Sequence, residues 1–120
     1  MTKVPKRKKP VSATQKSLKK LRDEGYLCDI VEKTIPYCFI KKDLFGFIDL
    51  LAIKDGEVLG VQTTTGSNSS ERVKKIKAHE NYPKVKEAGI KIVVHGWRKL
   101  KGKYKNGNDK FYWACKEIEL

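Results

Sequence analysis

The stretch Gly46-Phe47-Ile48-Asp49-Leu50-Leu51-Ala52-Ile53-Lys54-Asp55-Gly56-Glu57-Val58-Leu59-Gly60-Val61-Gln62-Thr63-Thr64 reads as a β-hairpin with an acid and an amide at its open end. Asp55-Gly56 lies between two apolar runs, which signals a two-residue type I′ turn. That turn fixes the register: Lys54 faces Glu57, Ile53 faces Val58, Leu51 faces Gly60, and Asp49 is expected opposite Gln62. Directly opposed side chains have Cβ atoms about 4.5–5.5 Å apart, so one cation could bridge the Asp49 carboxylate and the Gln62 carbonyl oxygen. Thr64 falls on the same face as Gln62, because side chains alternate along a strand. Both faces of the hairpin are apolar, with Leu51, Ile53 and Val58 on one and Leu50, Ala52, Leu59 and Val61 on the other. Such a sheet is normally covered on both sides by helices.

Upstream of the hairpin, residues 1–11 read as a basic flexible arm, with Lys3, Lys6, Arg7, Lys8, Lys9 and two prolines, and residues 12–120 read as one domain. Ser12 or Thr14 opens a first helix carrying Leu18 and Leu21, which stops at Gly25. Tyr26 to Thr34 reads as a strand, and Ile35 to Lys42 as a connection containing Pro36. Downstream, Asn68 with Glu71 three residues on has the pattern of a capping box. The helix it opens runs to about His79, and Pro83 begins a last segment ending at Gly89. Ile90 to Trp97 is a strand, Lys99 to Lys110 a Gly/Asn/Lys loop, and Phe111 to Ile118 a final strand. The order is α-β-β-β-α-β-β, an α/β fold with a mixed sheet of about five strands flanked by helices. Trp97, Trp113, Phe45, Phe47 and Tyr37 read first as packing residues.

The 120 residues carry 27 basic and 14 acidic side chains, a net charge of +13. Acidic residues serve solubility better than lysines, so an excess of this size points to a polyanionic partner, most simply nucleic acid. The arm residues Lys6, Arg7, Lys8 and Lys9 and the loop residues Lys101, Lys103 and Lys105 are candidates for phosphate contacts, which position a duplex without reading its sequence. Cys28, Cys38 and Cys115 have no metal-binding spacing and read as free thiols of a reducing, cytoplasmic compartment. No apolar run is long enough to span a membrane, and no secretory leader is expected.

Ile48-Asp49-Leu50-Leu51-Ala52-Ile53 followed by Val61-Gln62-Thr63-Thr64 resembles the motif of the PD-(D/E)XK nuclease superfamily, within it the Holliday-junction-resolvase-like and very-short-patch-like enzymes. The resemblance covers about Ala13 to Trp97. It implies a restriction-endonuclease-like core, with the final strand as an added edge. It departs from the pattern twice: Gln62 stands for the usual Glu, and Thr64 for the Lys. The resemblance implies Mg²⁺ or Mn²⁺ held by the Asp49 carboxylate, the Gln62 oxygen and the Thr63 carbonyl, with Asp49, Gln62 and Thr64 at the catalytic positions. The family's first-helix acid has no counterpart here. Asp43 is the better candidate for the missing charge and Glu32 a weaker one; a turn acid bonded to local backbone is an equal reading of Asp43. For the missing lysine, Arg72, Lys75 and His79 form one stripe on the following helix, with Lys75 as the catalytic candidate; an ordinary solvated basic face explains the stripe equally well. The leading function is then a metal-dependent DNA endonuclease, with branched DNA among its candidate substrates and a homodimer suited to paired cuts. The alternatives are a catalytically inactive nuclease fold that binds nucleic acid, and an RNA-associated basic protein.

Overall fold

The computed structural model describes residues 11–37, 40–65 and 67–120. The arm residues Lys6, Arg7, Lys8 and Lys9, together with Cys38, lie outside them.

The element order is α1 (Ala13–Asp23), β1 (Leu27–Ile30), β2 (Lys33–Ile35), β3 (Ile40–Lys42), β4 (Leu50–Lys54), β5 (Glu57–Thr65), α2 (Ser69–Lys77), α3 (Tyr82–Glu87), β6 (Ile90–Lys103) and β7 (Asp109–Glu119). Five strands form one sheet in the order β1-β4-β5-β6-β7, and β2 pairs with β3 in a separate small sheet. Only β5 and β6 are parallel in the large sheet. Parallel neighbours need a crossover, supplied here by α2 and α3. The α/β class, the mixed five-stranded sheet and the flanking helices agree with the sequence reading; the strand order differs in its details.

The hairpin turn forms as expected. Asp55 and Gly56 take φ values of 51° and 77°, the two positive angles of a type I′ turn. The ladder then runs from Lys54↔Glu57 to Leu50↔Val61. Leu50, Ala52, Leu59 and Val61 are buried with Leu21 of α1 and Cys28 of β1. On the opposite face, Ile92 and Val94 of β6 pack with Ile76 of α2, Val85 of α3, Phe47 and Ile48. Burying a Leu or Ile side chain contributes about 1.5–3 kcal/mol, so these two clusters fix the hairpin between helical layers.

Local chemistry sets the helix ends. The Ser12 hydroxyl accepts the Gln15 N–H at 3.2 Å as the N-cap of α1. At the other end the Tyr26 N–H donates to Leu21 O and the Gly25 N–H to Arg22 O, the paired bonds of a Schellman motif. A buried polar cluster then pins α1 to β6. Trp97 Nε1 donates to Ser17 Oγ at 2.8 Å, and Ser17 Oγ lies 2.9 Å from His95 Nδ1. The Ser17 hydroxyl thus bridges Trp97 and His95. His95 Nε2 faces Glu117 at 3.6 Å. Burial pushes the pKa of His95 down, so the imidazole is held neutral. A serine, a histidine and an acid in line resemble a hydrolase triad, but Ser17 has no exposed surface. The cluster therefore serves as a structural pin.

Several expectations are corrected. The strand expected over Tyr26–Thr34 breaks at Val31 and Glu32, and the expected connection over Ile35–Lys42 contains β3. Asn68 is the N-cap residue of α2, but its side chain makes no capping bond, so there is no capping box. The expected Lys99–Lys110 loop is mostly strand, because β6 and β7 pair as far as Lys103↔Asp109. Phe47 is core, whereas Tyr37, Phe45 and Trp113 are exposed, Tyr37 almost completely. No helix among the described residues is long and apolar enough to cross a membrane.

Candidate functional site

The open end of the hairpin is where its regular pairing stops. Beyond Leu50↔Val61 the Asp49 N–H donates to the Val61 carbonyl at 2.9 Å, and the Val31 N–H donates to the Asp49 carbonyl at 2.9 Å. The ladder thus ends before Asp49 reaches the place expected opposite Gln62. The Asp49 carboxylate turns to Thr63 instead. Its Oδ2 accepts the Thr63 N–H at 2.9 Å and the Thr63 hydroxyl at 3.1 Å. The Thr63 hydroxyl, having given its proton, accepts from Thr14 Oγ1 at 2.9 Å. A relay from α1 through β5 therefore holds one carboxylate oxygen.

Asp43 reaches the site through a tight return. The Gly46 N–H donates to the Asp43 carbonyl, and Leu44 and Ile48 exchange backbone bonds in both directions. Phe45 and Gly46 take φ values of 56° and 92°. This return folds Asp43 back, and the carboxylate oxygens of Glu32, Asp43 and Asp49 lie within 4.8 Å of one another. The turn is closed by the Asp43 backbone carbonyl, and the Asp43 side chain stands against Asp49. Burial first, and then the neighbouring Asp43 carboxyl, push Asp49 up to about 7. The Thr63 hydrogen bonds act in the opposite direction.

These groups border a cleft of about 440 Å³, lined also by Gln62, Thr64, Lys41, Arg72 and Asn68. Gln62 and Thr64 are buried side chains on its wall. Lys75 is not on this wall. It borders an adjoining hollow with Asp43, Gln62 and His79, and its ammonium faces Glu71 at 3.5 Å. Lys101 and Lys103 lie on β6, and Lys105 in the turn beyond it, among residues that do not border the cleft.

Sequence reasoning missed Lys41. Its ammonium lies 3.5 Å from Glu32 and it borders the cleft. Its neighbours Lys33 and Lys42 gave no reason to single it out, and only the β2–β3 pairing carries it to the site. Thr14 was noticed solely as a helix start; its contact with Thr63 depends on how α1 packs.

All the donor atoms gathered here are oxygens. Carboxylates and an amide oxygen are the ligand set for Mg²⁺ or Mn²⁺ rather than for softer ions. Three carboxyl groups at such separations repel one another when ionised, and a divalent cation offsets that repulsion. The residues present therefore fit such an ion. Comparison with protein-family models gives no match for this chain, and a search of curated proteins gives none. The residues themselves must carry the assignment.

Proposed function

We propose that this protein is a Mg²⁺- or Mn²⁺-dependent DNA endonuclease with a restriction-endonuclease-like core of the PD-(D/E)XK type. The observation that carries the proposal is the convergence of Glu32, Asp43 and Asp49 at the open end of the β4–β5 hairpin, beside Gln62. A bound divalent ion would neutralise charge on the scissile phosphate and make a water molecule more acidic. Asp49 would be the central ligand, oriented by both Thr63 bonds; Asp43, Glu32, the Gln62 oxygen and the Thr63 carbonyl would complete the set. Arg72 and Lys41 border the cleft and meet the phosphate oxygens. The first N–H groups of α2, left without a side-chain cap, favour an anion at the same wall. Thr64 can orient a water or a phosphate oxygen by hydrogen bonding, but it brings no charge. The cationic role of the family lysine then falls to Arg72 or Lys41 before Lys75.

The test is incubation with labelled linear, branched and single-stranded DNA in Mg²⁺, Mn²⁺ or EDTA. Cleavage of at least one substrate with metal, and of none with EDTA, is the expected result. A second reading, a nucleic-acid-binding protein on an inactive nuclease fold, is favoured by Thr64 at the lysine position. DNA binding without cleavage in any metal would establish that reading in place of the first.

A further inference from the structure

The outer half of the β6–β7 pair forms a two-stranded ribbon. Residues 98–113 hold Arg98, Lys99, Lys101, Lys103, Lys105 and Lys110 against one acid, Asp109. The register sets Lys99 opposite Trp113 and Lys101 opposite Phe111. By strand alternation these four share the face of Trp97, and Trp97 bonds to Ser17 of α1. Cations and aromatic rings therefore interleave on the side toward α1. Trp113 and Phe111 are 44% and 59% exposed. Lysines rest on both rings, with Lys16 of α1 at 3.3 Å from the Trp113 centroid and Lys99 at 5.1 Å from that of Phe111. Between ribbon and helix runs a groove of about 450 Å³, bordered by Lys16, Lys19, Lys20, Trp97 and Trp113, together with Asp23 and Glu24, the salt-bridge partners of Lys19 and Lys20.

Large exposed rings beneath ammonium groups suit a ligand that offers both flat faces and anions. A lysine on an exposed ring contributes about 2- to 5-fold to an equilibrium, whereas a nucleobase stacked on an aromatic side chain contributes about 5- to 150-fold. A base would displace the lysine, and the freed ammonium would turn to the adjacent phosphate. Bases in a duplex already stack on one another, so the ring faces select an unpaired strand. Thr14, which bonds to Thr63 at the cleft, precedes Lys16 by two positions on α1. The cleft and the groove thus flank the same N-terminal stretch of α1, the cleft at Ser12 to Thr14 and the groove from Lys16 onward.

We propose that the β6–β7 ribbon and the lysines of α1 form a stacking platform for single-stranded DNA, which presents an unpaired segment of the substrate to the cleft. This rests on DNA being the partner, and it names the form of DNA that is held.

The platform is tested with the full chain in EDTA, by tryptophan fluorescence and by anisotropy of a labelled oligo-dT strand. The chain has two tryptophans, and Trp97 is buried, so quenching reports on Trp113. Oligo-dT should quench the emission saturably. Trp113→Leu should remove the quench and weaken binding by about 5- to 150-fold, while Trp113→Tyr should keep most of the affinity. A blunt duplex of equal length should quench far less. Unchanged oligo-dT affinity in Trp113→Leu, or equal quenching by duplex, would overturn the platform while leaving DNA as the partner. Failure of the wild type to bind either form would overturn both.

Discussion

Asp49→Ala should lower metal-dependent DNA cleavage by at least about 100-fold, since even the residues that merely support metal ligands are worth about 10- to 100-fold. Asp49 is the carboxylate whose orientation is most completely fixed, because Thr63 supplies two hydrogen bonds to a single oxygen. It is also the member of the cluster most deeply enclosed. Affinity for DNA in EDTA should hold or rise slightly, because the cleft loses a negative charge. Gel-based cleavage and anisotropy on one substrate separate the two effects. Equal cleavage by wild type and variant would place the activity elsewhere. Gln62→Glu adds a charge beside Asp49 and should tighten metal binding in the same preparation.

Gly46→Ala should cost about 2–4 kcal/mol of stability and weaken metal binding as well. Two effects add at this position. The φ of 92° is a left-handed conformation, which costs a residue bearing a Cβ about 1–2 kcal/mol. The added methyl would also run into the His79 ring. That ring cannot easily retreat, since its Nδ1 accepts the Asn81 N–H at 3.1 Å and it meets the Phe47 ring in an edge-on contact, with centroids 5.4 Å apart. Gly56→Ala is the control: its φ is 77°, but a methyl there meets nothing within 4 Å, so it should cost only the backbone strain, about 1–2 kcal/mol. Urea midpoints at constant slope measure both. A Gly46→Ala, His79→Ala pair should recover part of the loss, as a coupled pair does. If Gly46→Ala matched Gly56→Ala in stability, the His79 contact would carry no weight.

The hairpin was legible because its determinants are local. Two residues, Asp55 and Gly56, set the turn, and the turn sets every pair down to Leu50↔Val61. The start of α1 at Ser12 and the break before Pro83 were legible for the same reason. Legibility failed where a partner far along the chain decides. Lys99 to Lys103 look like a loop by composition, and become strand only because Asp109 to Trp113 pair with them. Trp113 looks like packing, and its exposure follows from β7 lying at the edge of the sheet beyond the helices. The end of the ladder at Asp49 was hidden likewise, because it depends on Val31 bonding to the Asp49 carbonyl from outside the hairpin.

The candidate site was partly legible. Asp49, Gln62 and Thr64 follow from the hairpin. Asp43 follows from its closeness to a glycine that permits a return. Glu32 is readable as the weaker acid candidate, whereas Lys41 lies in the β2–β3 pairing, three exposed residue pairs that nothing in the sequence pattern reveals.

Binding of Mn²⁺, followed by loss of the free-ion electron paramagnetic resonance signal with and without DNA, tests the carboxylate cluster most directly. The wild type should take up Mn²⁺, Mg²⁺ should compete it away, and Asp49→Ala should release it. Equal Mn²⁺ uptake by wild type and Asp49→Ala, or no uptake by the wild type even with DNA present, would contradict the assignment of this cleft as a metal-dependent nuclease site.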